Sequence, residues 1–143
     1  MRFWDTSAIM PLCLNEPQTS LIEKIAREDR FVAVWWATPV ECHSAFARLK
    51  RENRLKTGEE DRARTRLSAL AGRWTEVVPS KRVRDIAIRI LQLHLLRAAD
   101  SLQLAAALVW AAGEPSGNGF VCLDQRLREA ARCEGFSVSP GPT

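Results

Sequence analysis

Short apolar runs alternate with longer stretches in which apolar residues recur three and four positions apart, and this rhythm predicts strands and helices taken in turn. Arg2 to Asp5 reads as a strand that begins at once. Ala8-Ile9-Met10-Pro11-Leu12 reads as a helix with Pro11 in about its first turn, where proline is tolerated. Asn15-Glu16-Pro17 breaks the chain, Leu21, Ile22, Ile25 and Ala26 give helical spacing up to Asp29, and Phe31 to Trp35 is a β-rich run. Thr38-Pro39-Val40-Glu41 has the form of an N-cap, a proline at the first helical position and an acid at the third, so a helix is expected there with Ala45, Phe46 and Leu49 on its apolar face. Thr57-Gly58-Glu59-Glu60 opens another helix, ending near Gly72. Thr75 to Val78 predicts a third strand, and Ser80 starts a helix with Val83, Ile86, Ala87, Ile90 and Leu91 on one side. Ala99 to Ala112 is apolar nearly all round, which predicts a buried helix. A turn-rich loop from Gly113 to Gly119 leads to a fourth strand, Phe120 to Leu123, then a helix from Gln125 to Cys133 and a short last strand at Phe136-Ser137-Val138.

Strands alternating with helices or helix pairs imply an α/β fold, with a central, mostly parallel sheet of four or five strands and helices on both faces. The 143 residues suit one domain over 1–138, with a frayed Pro-Gly-Pro tail over 139–143. The apolar share of 46% is that of an ordinary globular chain. No run of about 18 uncharged apolar residues is present, so no membrane span is expected. Met1-Arg2-Phe3-Trp4-Asp5 lacks the apolar stretch of a signal peptide, and a cytoplasmic location is expected. Cys13, Cys42, Cys122 and Cys133 show no metal-like pairing and read as reduced thiols in the core. A net charge of +4 and a pI near 9.2 permit a polyanionic partner without establishing one.

Four acids stand where an apolar run gives way to a helix: Asp5, Glu41, Asp100 and Asp124. Each has a structural explanation by itself, since acids cap helices and complement the dipole in a first turn. Glu41 could close a capping box with Thr38. Taken together they point elsewhere, because in an α/β fold such junctions lie at the carboxyl edge of the sheet, where sites collect. Acids gathered there repel one another unless a cation intervenes, and a carboxylate beside so much apolar surface is costly unless paired or bound to metal. Asp100 has Gln103 as its nearest polar neighbour on the same helical face. A hard, oxygen-preferring cation such as Mg²⁺ suits this set. Two ions about 4 Å apart could also be held, one activating water and one stabilising the leaving oxygen of a phosphodiester. No histidine has the spacing of a competing zinc ligand.

The order and context of these acids resemble a PIN-domain ribonuclease, specifically the VapC-type toxins of prokaryotic toxin–antitoxin pairs. The likeness rests on Phe3-Trp4-Asp5-Thr6-Ser7-Ala8, on Thr38-Pro39-Val40-Glu41, on Leu96 to Ala105 around Asp100, and on Phe120 to Leu127 around Asp124 followed by Ala130-Ala131 and Gly135-Phe136. Together these segments span nearly the whole chain. The resemblance implies a PIN-like three-layer α/β/α sandwich. It makes Asp5, Glu41 and Asp100 the core metal-binding acids and Asp124 a more variable fourth, with Thr6 or Ser7 supporting the site through a hydroxyl. It further implies metal-dependent endonucleolytic cleavage of RNA by an activated water with Mg²⁺ or Mn²⁺, a homodimer, and inhibition by a cognate antitoxin whose tail lies across the cleft. Many relatives carry Thr or Ser two residues before the last acid, where this chain has Cys122, a departure that bears on hydrogen bonding near Asp124.

Other features carry two readings each. Arg97, three residues before Asp100, could touch the scissile phosphate or the acids, or be a plain surface arginine. The basic run from Arg48 to Lys56, continued by Arg62, Arg64 and Arg66, is either a phosphate track or a solvated face with interspersed acids. Of Trp35 and Trp36, strand alternation would bury one and leave the other at an interface or free to stack on a base. Trp4, Trp74 and Trp110 read as core or subunit-contact residues, and His43 and His94 as structural histidines. Ile9, Leu12, Leu14, Leu21, Ile22 and Ile25 offer more apolar surface than a small sheet covers, so part of it is expected to meet a second copy or an antitoxin tail. The competing functions are a non-catalytic PIN-like RNA- or protein-binding module and a phosphoryl-accepting receiver domain. A receiver would want paired acids after the first strand and a late lysine, whereas Asp5 stands alone and no lysine follows Lys81. No G-x-G-x-x-G follows the first strand to suggest a nicotinamide site.

Overall fold

The computed structural model describes residues 1–141; Pro142 and Thr143, the end of the expected tail, lie outside the described residues. The chain runs β1 (Arg2–Trp4), α1 (Thr6–Cys13), α2 (Thr19–Glu28), β2 (Val32–Trp35), α3 (Thr38–Arg51), α4 (Thr57–Ala71), β3 (Thr75–Val77), α5 (Lys81–Leu93), α6 (Ala98–Trp110), β4 (Gly119–Val121), α7 (Gln125–Glu134) and β5 (Ser137–Ser139). The strands form one five-stranded sheet in the order β3-β2-β1-β4-β5, and every neighbouring pair is parallel. β5 starts one residue later than expected. Just beyond it, the Pro140 carbonyl accepts a 2.6 Å hydrogen bond from Arg128.

The order follows from the hand of the connections. Parallel crossovers share one hand, so connections running one way along the sheet lie on one face and those running back lie on the other. The chain steps outward from β1 to β2 to β3, and α1–α4 cover one face. It then crosses back to β4 and on to β5, and α5–α7 cover the other. Side chains alternate along each strand to match: Phe3, Ala33 and Phe120 enter the α5–α7 core, while Trp4, Val34 and Val121 enter the α1–α4 core. Covering both faces explains why the strands read as apolar runs with no polar alternation.

α6 is buried from Ser101 and Gln103 through Leu108, as its composition implied. At β2, Trp35 is buried and Trp36 is 51% exposed. Gly135 ends α7 at φ +111°, a left-handed conformation that suits glycine.

Three expectations are corrected. Ile9, Leu14, Ile22 and Ile25 are buried, because α1 packs on α2, α3 and α4 as well as on the sheet, so these helices leave little unmet apolar surface. Of the residues expected to meet a partner Leu21 stays 43% exposed, and other exposed apolar residues, including Trp36, Val40, Val78, Leu93 and Leu95, lie elsewhere. Cys133 is exposed, unlike the other three cysteines. Thr38 is the first residue of α3, with Ala37 in the capping position, and no capping box forms with Glu41. The Thr38 hydroxyl is buried and accepts from Gln103 instead. No helix among the described residues is long and apolar enough to cross a membrane.

Candidate active site

β1 and β4 are neighbours whose outgoing helices depart to opposite faces, and a crevice opens between them at the carboxyl edge of the sheet. Asp5 follows β1 and Asp124 sits at the end of the loop after β4, each capping the helix that leaves its strand: Asp5 accepts from the Ser7 amide at 3.0 Å, Asp124 from the Leu127 amide at 3.0 Å. Glu41 projects from the first turn of α3 and Asp100 from the first turn of α6. All four line one cleft of about 700 Å³, together with Thr6, Ser7, Arg48, Arg97 and Arg126. Asp5 and Asp124 therefore cap helices and line the cleft at the same time.

Asp5 is almost wholly buried. The Ser7 hydroxyl donates to its Oδ2 at 2.5 Å and the Cys122 thiol at 3.5 Å, while the Leu123 amide donates to the Ser7 hydroxyl at 2.9 Å. Ser7 thus locks the loop after β4 to the acid after β1. Cys122, standing where a hydroxyl residue was expected, acts on Asp5 as a weak donor. Among the described residues, every hydrogen bond the Asp5 carboxylate accepts falls on Oδ2, which leaves Oδ1 for other contacts.

Glu41 is oriented by Gln103. The Gln103 side-chain amide nitrogen lies 3.0 Å from Glu41 Oε2, 2.9 Å from the Thr6 hydroxyl and 3.1 Å from the Thr38 hydroxyl, and Thr6 donates to Glu41 at 3.3 Å. Gln103 is fully buried, and its carbonyl oxygen has no partner among the described residues. The sequence reading noted it only as a neighbour of Asp100. Its signal was present: a glutamine inside a helix otherwise too apolar to face water. Arg128 left no such signal, because its partners are backbone carbonyls. Its guanidinium donates to the Cys122 carbonyl at 2.7 Å and to Pro140, fixing the corner that carries Asp124.

The cleft resists ionisation. Burial pushes the Asp5 carboxyl up against its Ser7 donors, and the nearby Asp100 charge adds to the rise. Burial raises Glu41 to about 7, with the Gln103 amide opposing and Asp5 reinforcing. Asp100 is raised by burial and then by Asp124, with Arg97 opposing. These are oxygen donors throughout, which fits a small hard cation that keeps most of its waters and takes one or two carboxylates directly. They do not form a closed cage: among the described residues no three acid, histidine or cysteine side chains converge around one point.

A pH dependence follows. A carboxyl whose pKa rises on folding stabilises the fold below its unfolded value, and that contribution is lost as pH climbs through the folded value. For Glu41 the window runs from 4.5 to about 7. In chelator, wild-type thermal stability should decline across this window relative to Glu41→Gln, which lacks the titration. Parallel wild-type and variant curves would show that Glu41 is solvated.

Of the basic run, only part reaches this region. Arg48 lines the cleft and Arg54 an adjoining groove. Lys50 and Arg64 each lie 3.5 Å from Glu60, and Arg66 donates to the Cys13 carbonyl. His94 pairs with Glu134 at 2.8 Å, and His43 contacts Arg64, both away from the acids.

Comparison with known proteins places the fold. The chain is similar to one in a toxin–antitoxin complex from Klebsiella pneumoniae, at TM-score 0.62 and 12% identity over 88% of both chains. It is also similar to a chain of FitAcB from Neisseria gonorrhoeae, at TM-score 0.61 and 18% identity over 96% of both. No family model and no curated protein matches the sequence. At these identities the likeness is one of architecture: a parallel sheet with helices on both faces.

Proposed function

We propose that this chain is a metal-dependent endoribonuclease, the toxin of a VapC-type toxin–antitoxin pair. The observation that carries the reading is the gathering of Asp5, Glu41 and Asp100 from three separate elements into one cleft at the sheet's carboxyl edge, where their charges oppose one another. Evolved folds retain such a cost where function requires it. Mg²⁺ or Mn²⁺, when bound, would polarise a water for attack and offset charge on the phosphodiester. The chain's own residues do the rest. Ser7 and Cys122 fix Asp5 by Oδ2, and Gln103 with Thr6 fixes Glu41. Asp124 lies on the same wall as Asp100, while Arg97, Arg48 and Arg126 present positive charge to the phosphates. Two further points support the toxin assignment: the similar fold in a complex described as toxin–antitoxin, and four sequence segments in the order the PIN-domain resemblance requires. On this reading the protein acts in the cytoplasm as a homodimer, held inactive by an antitoxin.

The second reading, a non-catalytic module, is favoured by one observation, that no three of the acids converge around a point. Incubating total RNA with the protein, freed of any partner, and Mg²⁺ or Mn²⁺ separates the two. Discrete products that disappear in EDTA and in Asp100→Asn establish the nuclease. Intact RNA with correctly folded protein favours the module, and cleavage surviving in Asp100→Asn removes that acid from the assignment.

A further inference from the structure

Two grooves leave the acid cleft, and they differ in chemistry. One runs past Arg48 to Glu16, Arg54 and Glu59. Its inner cation is matched, since Arg54 lies 3.6 Å from Glu52 and also acts on Glu16, while Arg48 at its mouth belongs to no ion pair among the described residues. The other leaves past Leu95 and Arg126, which line both cavities, into a hollow of about 470 Å³ walled by Leu93, His94 and Cys133. Here Arg126 belongs to no ion pair among the described residues, Arg97 at the mouth acts on Asp100 without pairing with it, and Glu129 is the acid on the wall of the hollow.

The wall of this second groove is unusual for a surface. Leu93 is 63% and Leu95 82% exposed. Between them His94 is held rigidly: its Nε2 lies 2.8 Å from Glu134, which Arg89 grips through both terminal nitrogens at 2.9 and 3.4 Å. The result is a fixed imidazole whose side chain is 15% exposed, flanked by two well-exposed leucines and continuous through Leu95 and Arg126 with the acid cleft. An apolar seat for a base and cations for the backbone are what single-stranded nucleic acid requires. A docking helix would instead want a longer apolar stripe with fewer charges around it.

Granting the nuclease reading, on which this rests, we propose that the RNA strand leaves the cleft on this side, with Arg97 and Arg126 on its phosphates and one unpaired base seated on Leu93 and Leu95 beside the exposed edge of His94. The seat puts a nucleotide-binding subsite directly beside the scissile position, where it would help choose the cut.

Fluorescence anisotropy tests this with a labelled single-stranded RNA of about ten nucleotides, in EDTA so that no strand is cut, across a range of salt. Arg126→Ala should weaken binding and reduce the slope of log Kd against log salt by about 0.7, the value for one phosphate contact on a single strand. Leu95→Ser should weaken binding about fivefold with the slope unchanged, as loss of base stacking does. Arg54→Ala, in the other groove, should change neither. All three side chains are exposed, so folding is not at stake. A slope that falls in Arg54→Ala and not in Arg126→Ala reverses the direction of the strand. Unchanged RNA affinity in Leu95→Ser, with a dimer that dissociates in light scattering, assigns the leucines to a second copy and removes the base seat. Failure of the wild type both to bind RNA and to cut it in Mg²⁺ removes the nuclease reading itself, and this subsite with it.

Discussion

Replacing Asp5 by Asn is expected to abolish RNA cleavage while making the metal-free protein more stable. Asn caps a helix about as well as Asp, and its carbonyl oxygen can keep the Ser7 amide and hydroxyl that now bond to Oδ2. The fold therefore loses nothing at the start of α1. What disappears is a buried charge, disfavoured by desolvation and by Asp100. Cleavage should fall about a thousandfold, the scale seen when a group that stabilises transition-state charge is removed. The thermal midpoint in EDTA at pH 8 should rise, and added Mg²⁺ should stabilise wild type more than the variant. Activity lost together with stability would mean that Asp5 serves only the fold. Unchanged activity would move the chemistry elsewhere in the cleft.

The largest effect on stability is expected at Trp4. Its side chain is fully buried in the core between the sheet and α1–α4, and its indole donates to Asp29 at 2.8 Å. Trp4→Ala should cost about 3–5 kcal/mol through lost transfer energy and the cavity left behind, a drop in thermal midpoint on the order of 10 °C for a domain of this size. Trp4→Phe retains most of the volume and loses the indole donor, so it should lose about a third as much. Calorimetry of both variants checks the pair. A Trp4→Ala cost below about 1 kcal/mol would show that the α1–α4 layer tolerates the gap by collapsing into it.

Asp5 and Trp4 are adjacent, and together they show how closely the candidate site and the core are interleaved. β1 is central and only three residues long, so it buries Phe3 on one face and Trp4 on the other and then ends directly in the acid. Little slack separates packing from the position of Asp5. Gln103 has the same double character, lying in the buried α6 while its amide holds Glu41 in the cleft.

The elements and their order were legible in the sequence because they depend on local periodicity. Short apolar runs marked the central strands β1, β2 and β4, and the near-uniformly apolar stretch after Ala99 marked the buried α6. The four acids were legible for a related reason: a carboxylate at a strand-to-helix junction is conspicuous against apolar neighbours. Burial of Ile9, Ile22 and Ile25 was not legible, since periodicity reports that a face is apolar and says nothing of what covers it. Here the cover comes from α2 and also from α3 and α4, which are distant in sequence from α1. The capping of α3 failed similarly. Thr38 is a good cap by type, but Gln103, 65 residues away, claims its hydroxyl.

The sequence by itself determined the α/β alternation, the separation of apolar runs and the identity of the four acids, because these rest on interactions within a few residues. Only the tertiary structure decided that the acids share one cleft, that Ser7 and Gln103 orient two of them, that Arg128 ties down the corner bearing Asp124, and that His94 stands among exposed leucines beside unpaired arginines. Those are encounters between groups far apart along the chain, and their distances are set by the strand order and the hand of the crossovers, which no local pattern records.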